Sequence, residues 1–534
     1  MRRCHPLAPC LALLLLAAAC SDAPEETGEA AVVLYDYVPD DSAYAVVSGQ
    51  PFPEALREKI AGLVDAMDAA VDGSPGLSDD EKRSLRLIYS LSMASFGGSP
   101  TLGFAAGDEW VLYGANLKPR FRAEVSEPEK LRAAIEALVA SSEGQIESGE
   151  RDGRTYWRWK LDAVGGGGLL ATLNANLLSA GFATQEEEES AVIDDLLAAP
   201  VRGSGRGFKD KLADVRATHG FTEQMAGYVD VVTLAAALPA GDAGDRACAE
   251  ALEKAAAGAP RMALGYTEAS ASRVTTRWVI ELSEEAAKDL AQWPVAVPGL
   301  GRGDGVFSLG FGFDLSKTAK AASELGQSPT LAACGVGEQA SDPASLAQAT
   351  TMLTLAGGPR GLNVVLDAFP EIRPGEIPKL QGAAIAVLDN PEMALGMMSM
   401  LAPQVGQLKL DGEPMDLAVP GAGGGQPIAV AASGNTLVAA VGPDRAARAR
   451  AALSAAPSAD GTVFSLTSSV ADLMAYTTQM AATAAQAASD PKIAEQVRLQ
   501  VQMSEAYGKL FGSSTTTMRF RPEGIVFESA IEVR

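Results

Sequence analysis

Histidine, the usual general base beside a serine or cysteine nucleophile, is almost absent from this chain. The sequence contains two histidines, His5 and His219. His5 falls within the export signal described below, so a nucleophilic site would have to use His219 as its base. His219 follows Thr218 at the predicted end of a helix, where a surface or capping role is the simpler interpretation. Zinc sites built from histidine and cysteine likewise lack their ligands.

Carboxylates are plentiful instead. The chain has 67 Asp and Glu against 43 Lys and Arg, which gives a net charge of -24. In so acidic a chain, adjacent acids are weak evidence for acid–base catalysis, and a glycosidase would need two of them facing one cleft. Examples of such adjacent acids are Asp40-Asp41 and Asp194-Asp195. Asp68, Asp72 and Asp79 approach calcium-loop spacing, but Ala70 occupies a ligand position, so no calcium site is expected. We expect no catalytic residue, cofactor or metal.

Two apolar features suit either a core or a binding surface. Methionines recur at helical spacing, and thioethers line adaptable binding grooves as well as cores. Two tryptophans alternate with charged residues on one strand, where a buried strand face is favoured over a ligand platform. The residues are Met393, Met397, Met398, Met400, Trp157 and Trp159.

The first nineteen residues are typical of an export signal. Arg2 and Arg3 form its charged region, and Leu11 to Leu16 is an apolar run too short to span a bilayer. Ala17 to Ala19 then place small residues directly before Cys20. A plain secretory signal cut after Ala19 would explain this pattern.

The same pattern resembles the lipobox of bacterial lipoproteins, in which the cysteine is diacylated and becomes the mature N-terminus. The resemblance implies that Cys20 carries the lipid. It departs from the family pattern at Ala17, where leucine is usual. Ser21 resembles the outer-membrane sorting pattern rather than inner-membrane retention. Residues 20–33 form an acidic tether with nothing to bury.

The negative charge restricts the partners of the mature chain. It disfavours nucleic acid, whose phosphates need clustered Lys and Arg, and direct adhesion to anionic lipid heads. We therefore expect the chain to contact the membrane through its lipid anchor, on the periplasmic face of the outer membrane. A further partner would be an envelope protein or an apolar ligand of unknown identity.

A helix–strand pattern occurs twice and organises these features. Ser126 to Glu129 opens a predicted helix ending near Ser141, and Asp389 to Glu392 opens another ending near Leu401. Each follows a strand-like run and precedes strand-like runs, a glycine cluster, a hairpin-like pair and a further helix. Self-similarity of this kind indicates a repeat. We predict an α+β fold of two duplicated halves, each a mostly antiparallel sheet backed by helices.

The predicted organisation has five segments. Residues 1–19 are the signal and 20–33 the tether. Residues 34–292 form the first half, 293–305 a linker rich in proline and glycine, and 306–534 the second half.

Several elements within the halves are specific enough to compare with a structure. Pro51 to Ala70 and Gln185 to Leu197 have the apolar spacing of helices. Ser78 with Glu81 resembles a capping box for a helix over 79–95. Tyr228 to Leu234 is predicted as a strand.

Short stretches resemble an uncharacterised group of Gram-negative secreted proteins and lipoproteins with an internally duplicated α+β architecture. They are Tyr37 to Asp41, Arg120 to Leu138 and Pro260 to Tyr266. The resemblance implies location and architecture, not activity. The leading hypothesis is a non-enzymatic binding or envelope-assembly factor. The alternatives are a carrier of an apolar ligand such as a lipid, and a carboxylate-based hydrolase.

The remaining cysteines predict one disulfide. Cys4 and Cys10 leave with the signal and Cys20 is acylated, so the mature chain keeps Cys248 and Cys334. In the oxidising periplasm we expect these two to be bonded. Two buried free cysteines are the alternative. The resemblance points to the bond, since cysteines in similar contexts recur as a pair in that group.

Overall fold

The computed structural model describes residues 34–74, 82, 102–105, 107–115, 118–142, 144–160, 168–183, 186–199, 206–236, 243–302, 305–315, 317–318, 351, 357–372, 378–401, 403–417, 426–458, 461–487 and 491–534. The chain divides into two compact units. The first comprises Met1–Leu238, Arg261–Thr276 and Val533, and the second comprises Pro239–Pro260, Arg277–Glu532 and Arg534. Both are α+β, as predicted, with antiparallel pairing throughout the described strands.

The first unit is built on an antiparallel sheet whose earliest strand lies inside it. Its strands are β1 (Tyr44–Ser48), β2 (Trp110–Ala115), β3 (Lys118–Glu124), β4 (Ile146–Arg151), β5 (Arg154–Lys160), β6 (Gly168–Asn174), β7 (Leu177–Ala183), β8 (Ala226–Asp230) and β9 (Arg261–Ala269). They pair in the order β4-β5-β6-β7-β3-β2-β1-β8-β9. Within this order, Tyr44 of β1 pairs with Gly114 on one side and Val229 on the other.

The helices of the first unit follow apolar periodicity and local caps. They are α1 (Glu54–Asp72), α2 (Pro128–Ser141), α3 (Glu186–Leu197), α4 (Arg206–His219) and α5 (Val231–Ala236). On α1, Leu56, Ile60 and Leu63 recur at helical spacing and are buried. Pro128 opens α2, because a proline in the first turn gives up no helical hydrogen bond.

Both faces of this sheet are covered because its strands alternate apolar residues to the two sides. On β6, Leu169 and Ala171 join the core cluster that includes Leu131 of α2. Leu170 points the other way and packs with Val192 of α3. The sheet therefore lies between α2 and α3, and each fully buried side chain of this size contributes roughly 1.5–3 kcal/mol.

The strands of the second unit also pair antiparallel. Its strands are β11 (Phe307–Gly312), β12 (Pro359–Ala368), β13 (Gln381–Leu388), β14 (Met415–Leu417), β15 (Ile428–Ser433), β16 (Thr436–Val441), β17 (Thr462–Ser469), β18 (Phe511–Arg521) and β19 (Gly524–Val533), and β10 (Arg273–Glu281) begins in the first unit and ends in the second. Strands β11 to β18 pair in the order β14-β15-β16-β13-β12-β11-β17-β18. This order matches that of the first unit strand for strand once β4 is left aside.

The helices of the second unit also lie on two faces. They are α6 (Ala243–Gly258), α7 (Glu284–Leu290), α8 (Pro391–Leu401), α9 (Arg445–Ser454), α10 (Val470–Ala487) and α11 (Pro491–Leu510). Leu395 of α8 packs with Val430 of β15, whereas Ala449 of α9 packs with the neighbouring residues Ala429 and Ala431. Strand β15 thus lies between α8 and α9, as β6 lies between α2 and α3.

The segment predicted as a linker packs into the second unit where the structure describes it. Val297 and Leu300 are buried against Val387 of β13. Over the described parts of the chain, no helix combines the length and apolar character needed to cross a membrane. The predicted helix over 79–95 lies outside the described residues, except for Lys82, which is helical.

Candidate functional site

A half-buried group of carboxylates forms where β2 begins and β3 ends, in the middle of the sheet of the first unit. Glu109 directly precedes β2 and Glu124 ends β3, and the β2–β3 register places the two opposite each other. The backbone N–H of Glu124 donates to the carbonyl of Glu109 at 2.9 Å. Side chains in opposite positions point to the same face of a sheet. The two carboxyl groups therefore project together on the face that carries α3.

The neighbouring Asp108 has a structural role. Its carboxylate accepts hydrogen bonds from the backbone N–H of Ala105 at 2.8 Å, the N–H of Ser126 at 3.0 Å and the hydroxyl of Ser126 at 2.6 Å. Burial raises the pKa of Asp108, and these three donors oppose that effect. Asp108 thus fixes the turn that leads into α2.

Burial and like charge make Glu124 easy to protonate. Burial, with Coulomb repulsion from Glu109 and then Asp108, raises the pKa of Glu124 to about 6. Burial also raises the pKa of Glu109, while the positive charge of Arg216 lowers it. The pair can therefore hold or release a proton in mildly acidic solution.

The guanidinium of Arg216 and the phenol of Tyr35 lie near the same two glutamates. A side chain at Gly49 would meet Arg216 Nη2 and Tyr35 Oη, each 3.6 Å from the position of its Cβ. Arg216 Nη1 forms an ion pair with Glu223 Oε2 at 2.6 Å. Arg216 Nε and Nη2 are buried and have no hydrogen-bond partner in the described structure. Burial, with repulsion from Glu109, raises the pKa of Tyr35 to about 12.

Farther along the same face, a buried arginine attaches α3 to the sheet. Arg122 is 2% exposed. Its Nε donates to Tyr113 Oη at 3.1 Å, its Nη1 to Ser179 Oγ at 2.8 Å and its Nη2 to the carbonyl of Asp195 at 2.9 Å. The carbonyls that end a helix lack intrahelical donors, and positive charge suits that end of the helix dipole. Arg122 therefore supplies the hydrogen-bond donors and the positive charge that the last turn of α3 lacks.

Ion pairs surround this contact, with the acids on the helix and the bases on the sheet. They are Arg120–Asp195, Arg158–Glu189 at 2.6 Å, Lys118–Glu188 at 3.3 Å and Arg151–Asp194 at 2.7 Å. The adjacent acids Asp194 and Asp195, considered above as a catalytic pair, are thus both engaged in holding α3. Asp40 accepts from the N–H of Gly207 at 3.0 Å, at the start of α4.

In the second unit the charges are reversed. Helix α9 carries the bases, and the acids lie on β12, on β14 and just before β14. The pairs are Arg445–Asp416 at 2.7 Å, Arg450–Glu413 at 3.0 Å and Arg448–Asp367. Between helix and sheet the contact is apolar and consists mainly of alanines.

The methionine helix α8 divides its side chains between core and solvent. Met398 packs against a core cluster that includes Leu395 and Leu417. Met397 is 42% exposed and Met400 is 84% exposed. The sequence interpretation as core therefore applies to Met398 and not to Met400.

The aromatic and histidine candidates lie in packed surroundings. Trp157 is buried in the core cluster of α2, and Trp159 is partly buried against it. His219 ends α4, and its ring centroid lies 5.5 Å from that of Phe221. These positions are consistent with the prediction that the two tryptophans belong to a buried strand face.

Two of the three cysteines with a predicted modification lie outside the described structure. Cys248 lies on α6 and is partly buried. Cys20 and Cys334 lie outside the described residues, so both the lipid anchor and the Cys248–Cys334 bond stay predictions. Asp68 and Asp72 lie on α1, and Asp79 is not described. Among the described side chains, no group of three or more His, Cys, Asp or Glu is arranged to hold a metal ion.

Comparison with protein-family models, curated proteins and solved structures gave no match.

Proposed function

We propose that this chain is a lipid-anchored protein of the outer membrane, facing the periplasm, that binds an apolar segment of an envelope protein. The observation that carries the binding proposal is the exposed methionine pair of α8, Met397 and Met400. Unbranched, polarisable thioethers adapt to varied apolar surfaces. Large apolar side chains with no structural use on the outside of a helix favour an interaction surface.

The corresponding helix of the first unit supports this interpretation. Helix α2 opens with the same Pro-Glu pair as α8, but Lys130 of α2 forms an ion pair with Glu127 at 2.7 Å in the solvent. Helix α8 has one charged residue, Glu392. Because Met397 and Met400 face outward, a partner's apolar surface suits them better than a ligand enclosed within the unit.

Photo-crosslinking tests this surface. A photoreactive residue replacing Met400 in cells that make the lipidated protein should give one discrete adduct. Met397→Lys in the same chain should weaken the adduct at least severalfold. The control is the same photoreactive residue at Met480 of α10, a 49% exposed methionine on another helix. Equal adducts at both positions, or no adduct at Met400, would contradict the proposal.

The anchor rests on the small residues before Cys20 and the acidic tether after it. Two or more acyl chains give stable membrane attachment, whereas one is marginal. Cys20→Ala should release the protein or leave an unprocessed precursor, measured by fractionation and mass. A variant that is processed and membrane-bound like the wild type would exclude lipidation at Cys20.

The internal duplication is part of the same proposal. It is supported by the recurrence of one strand order in both units and by the equivalent positions of α2 with α8 and α3 with α9. A related protein carrying a single unit would support the duplication. An experimental structure placing α2 and α8 at different points of the strand order would contradict it.

Glu109 and Glu124 favour a second candidate, a carboxylate-based hydrolase, because they project together and burial raises the pKa of both. Hydrolysis of chromogenic glycosides by the purified chain, abolished by Glu109→Gln, would support it. Turnover unaffected by that change would assign the activity elsewhere.

A further inference from the structure

The carboxylates opposite each other on β2 and β3 form an unfavourable contact when both are charged. Directly opposed residues have Cβ atoms about 4.5–5.5 Å apart, and like charges there destabilise the strand pair. Glu109 and Glu124 meet this condition at the end of the β2–β3 register. Neither forms a direct ion pair in the described structure.

Several neighbouring elements contribute titratable or charged groups that face Glu109 and Glu124. The 3-10 helix Leu34–Tyr37 contributes Tyr35, and α4 contributes Arg216. The loop after α4 contributes Glu223, which forms an ion pair with Arg216. Gly49 beyond β1 and Leu177 of β7, which pairs with Glu124, add no charge. On the strands themselves, Asp108 and Arg122 are nearest, and both already have the hydrogen bonds described above.

Among the described cations around this pair, Arg216 has donors without acceptors. Its Nη1 is bound to Glu223, while Nε and Nη2 are buried without an acceptor. Nε and Nη2 form one edge of the guanidinium, which matches the two oxygens of a carboxylate. Buried donors without acceptors cost free energy, so an available carboxylate would be stabilised there.

We propose that Glu109, Glu124 and Arg216 form a proton-operated clasp between β2–β3 and the loop that follows α4. In mildly acidic solution the two glutamates together retain a proton. When that proton leaves to solvent, the Glu109 carboxylate binds the free Nε–Nη2 edge of Arg216. The arginine then joins Glu109 to Glu223 and holds more firmly a loop that already hydrogen-bonds to β9 through Thr222 and Met225.

The direction of the pH effect follows from Glu124. Burial and nearby carboxylates raise its pKa from 4.5 to about 6 in the folded chain. Folding therefore takes up a proton between these values, and the associated stability is complete below pH 4.5 and is lost as the pH rises through about 6. Because the group is partly solvated, the effect on the unfolding constant is roughly tenfold rather than the larger factor that the full shift implies.

Urea denaturation of the full chain at pH 5 and pH 7.5 tests the titration. Relative to the wild type, Glu124→Gln should lower the unfolding constant roughly tenfold at pH 7.5 and only about threefold at pH 5. Glu150→Gln, on the exposed side of β4, is the matched control and should follow the wild type at both values. Identical pH slopes for wild type and Glu124→Gln would overturn the proposal.

Hydrogen exchange tests the clasp itself. With intrinsic rates corrected for pH, the backbone of residues 221–225 should become severalfold more protected at pH 7.5 than at pH 5. Arg216→Lys keeps the charge but removes the two-donor edge, and Glu109→Gln removes the acceptor, so each should abolish the gain. A gain that persists in both variants, or no gain in the wild type, would contradict the clasp.

Discussion

Helices α3 and α9 occupy the same place in the strand order of their units but are held by opposite charges. Acids on α3 bind bases on the first sheet, whereas arginines on α9 bind acids on and beside the strands of the second. The residues beneath the helices differ as well. Arg120 and Arg122 of β3 face α3, while Ala383 and Ile385 of β13 face α9.

This difference shows that one topology accommodates two kinds of interface. Arg122 and Ile385 each lie six residues before the proline that opens the next helix. Replacing a buried hydrogen-bonded arginine by an apolar side chain is tolerable only when its acceptors disappear with it. In the second unit the described contact between helix and sheet consists mainly of alanines, whose side chains carry no hydrogen-bond acceptor. The two contacts are also not interchangeable, because α9 on the first sheet would set arginine against arginine.

The most severe test brings the arginine of the first unit into the second. Ile385→Arg places a guanidinium among the apolar side chains of Ala383, Val438 and Ala440. We expect a loss of about 4 kcal/mol in the free energy of unfolding, because an unpaired buried charge is among the costliest changes. Urea denaturation followed by circular dichroism measures it. Ile385→Val, the control, should lose about 1 kcal/mol. Similar losses for the two variants would show that the second interface already tolerates a cation.

The reverse change removes the arginine from the first unit. Arg122→Met keeps most of the volume but leaves Ser179 and the carbonyl of Asp195 without their donor. We expect a loss of about 3 kcal/mol, with faster hydrogen exchange in α3 than elsewhere. A stabilised variant would mean that the apolar interface suits either unit.

A smaller effect is expected at the rim of the α3 contact. Asp195→Asn neutralises the partner of Arg120, whose side chain is 10% exposed against 48% for Asp195. Because water partly solvates the pair, the loss should be about 1 kcal/mol and should shrink in high salt. Thermal melts at two ionic strengths measure it. A salt-independent loss would assign Asp195 a role in packing instead.

The smallest effect is expected on α9. Arg450 and Glu413 are 57% and 73% exposed, so their ion pair is almost fully solvated. Arg450→Ala should change the free energy of unfolding by less than about 0.5 kcal/mol. A loss of stability as large as that of Asp195→Asn would show that the ion pairs around α3 and α9 contribute equally despite their different exposure.

The sequence was most informative where local signals decide the structure. The bounds of α2 and α8 agree with the predicted helices because a proline, a following glutamate and apolar spacing coincide there. The predicted strand from Tyr228 to Leu234 was only partly right, since β8 ends at Asp230 and α5 begins at Val231. The carboxylate of Asp230 accepts from the N–H of Thr233 at 2.9 Å, which starts the helix despite its β-branched residues.

The charged sites were harder to predict. In the sequence, Arg122 lies in a strand where charged and apolar residues alternate, which is also the pattern of an arginine that faces solvent. Its acceptor, the carbonyl of Asp195, lies 73 residues later. The pairing of Glu109 with Glu124 depends on a strand register that the sequence does not fix. The alternation of Lys118, Arg120 and Arg122 was the available signal, together with the acidic start of α3.

The inner position of β1 has a consequence for the order in which the first unit forms. Tyr44 can pair with Gly114 early, but its other neighbour, Val229, is 185 residues away. Contacts so distant in the chain are slow to form, because the loop between them must close first. Until β8 has been synthesised, one edge of β1 offers unpaired backbone groups to other chains. The emerging polypeptide is therefore most vulnerable to aggregation before residue 226, and folding of this unit is completed only after its last strands arrive.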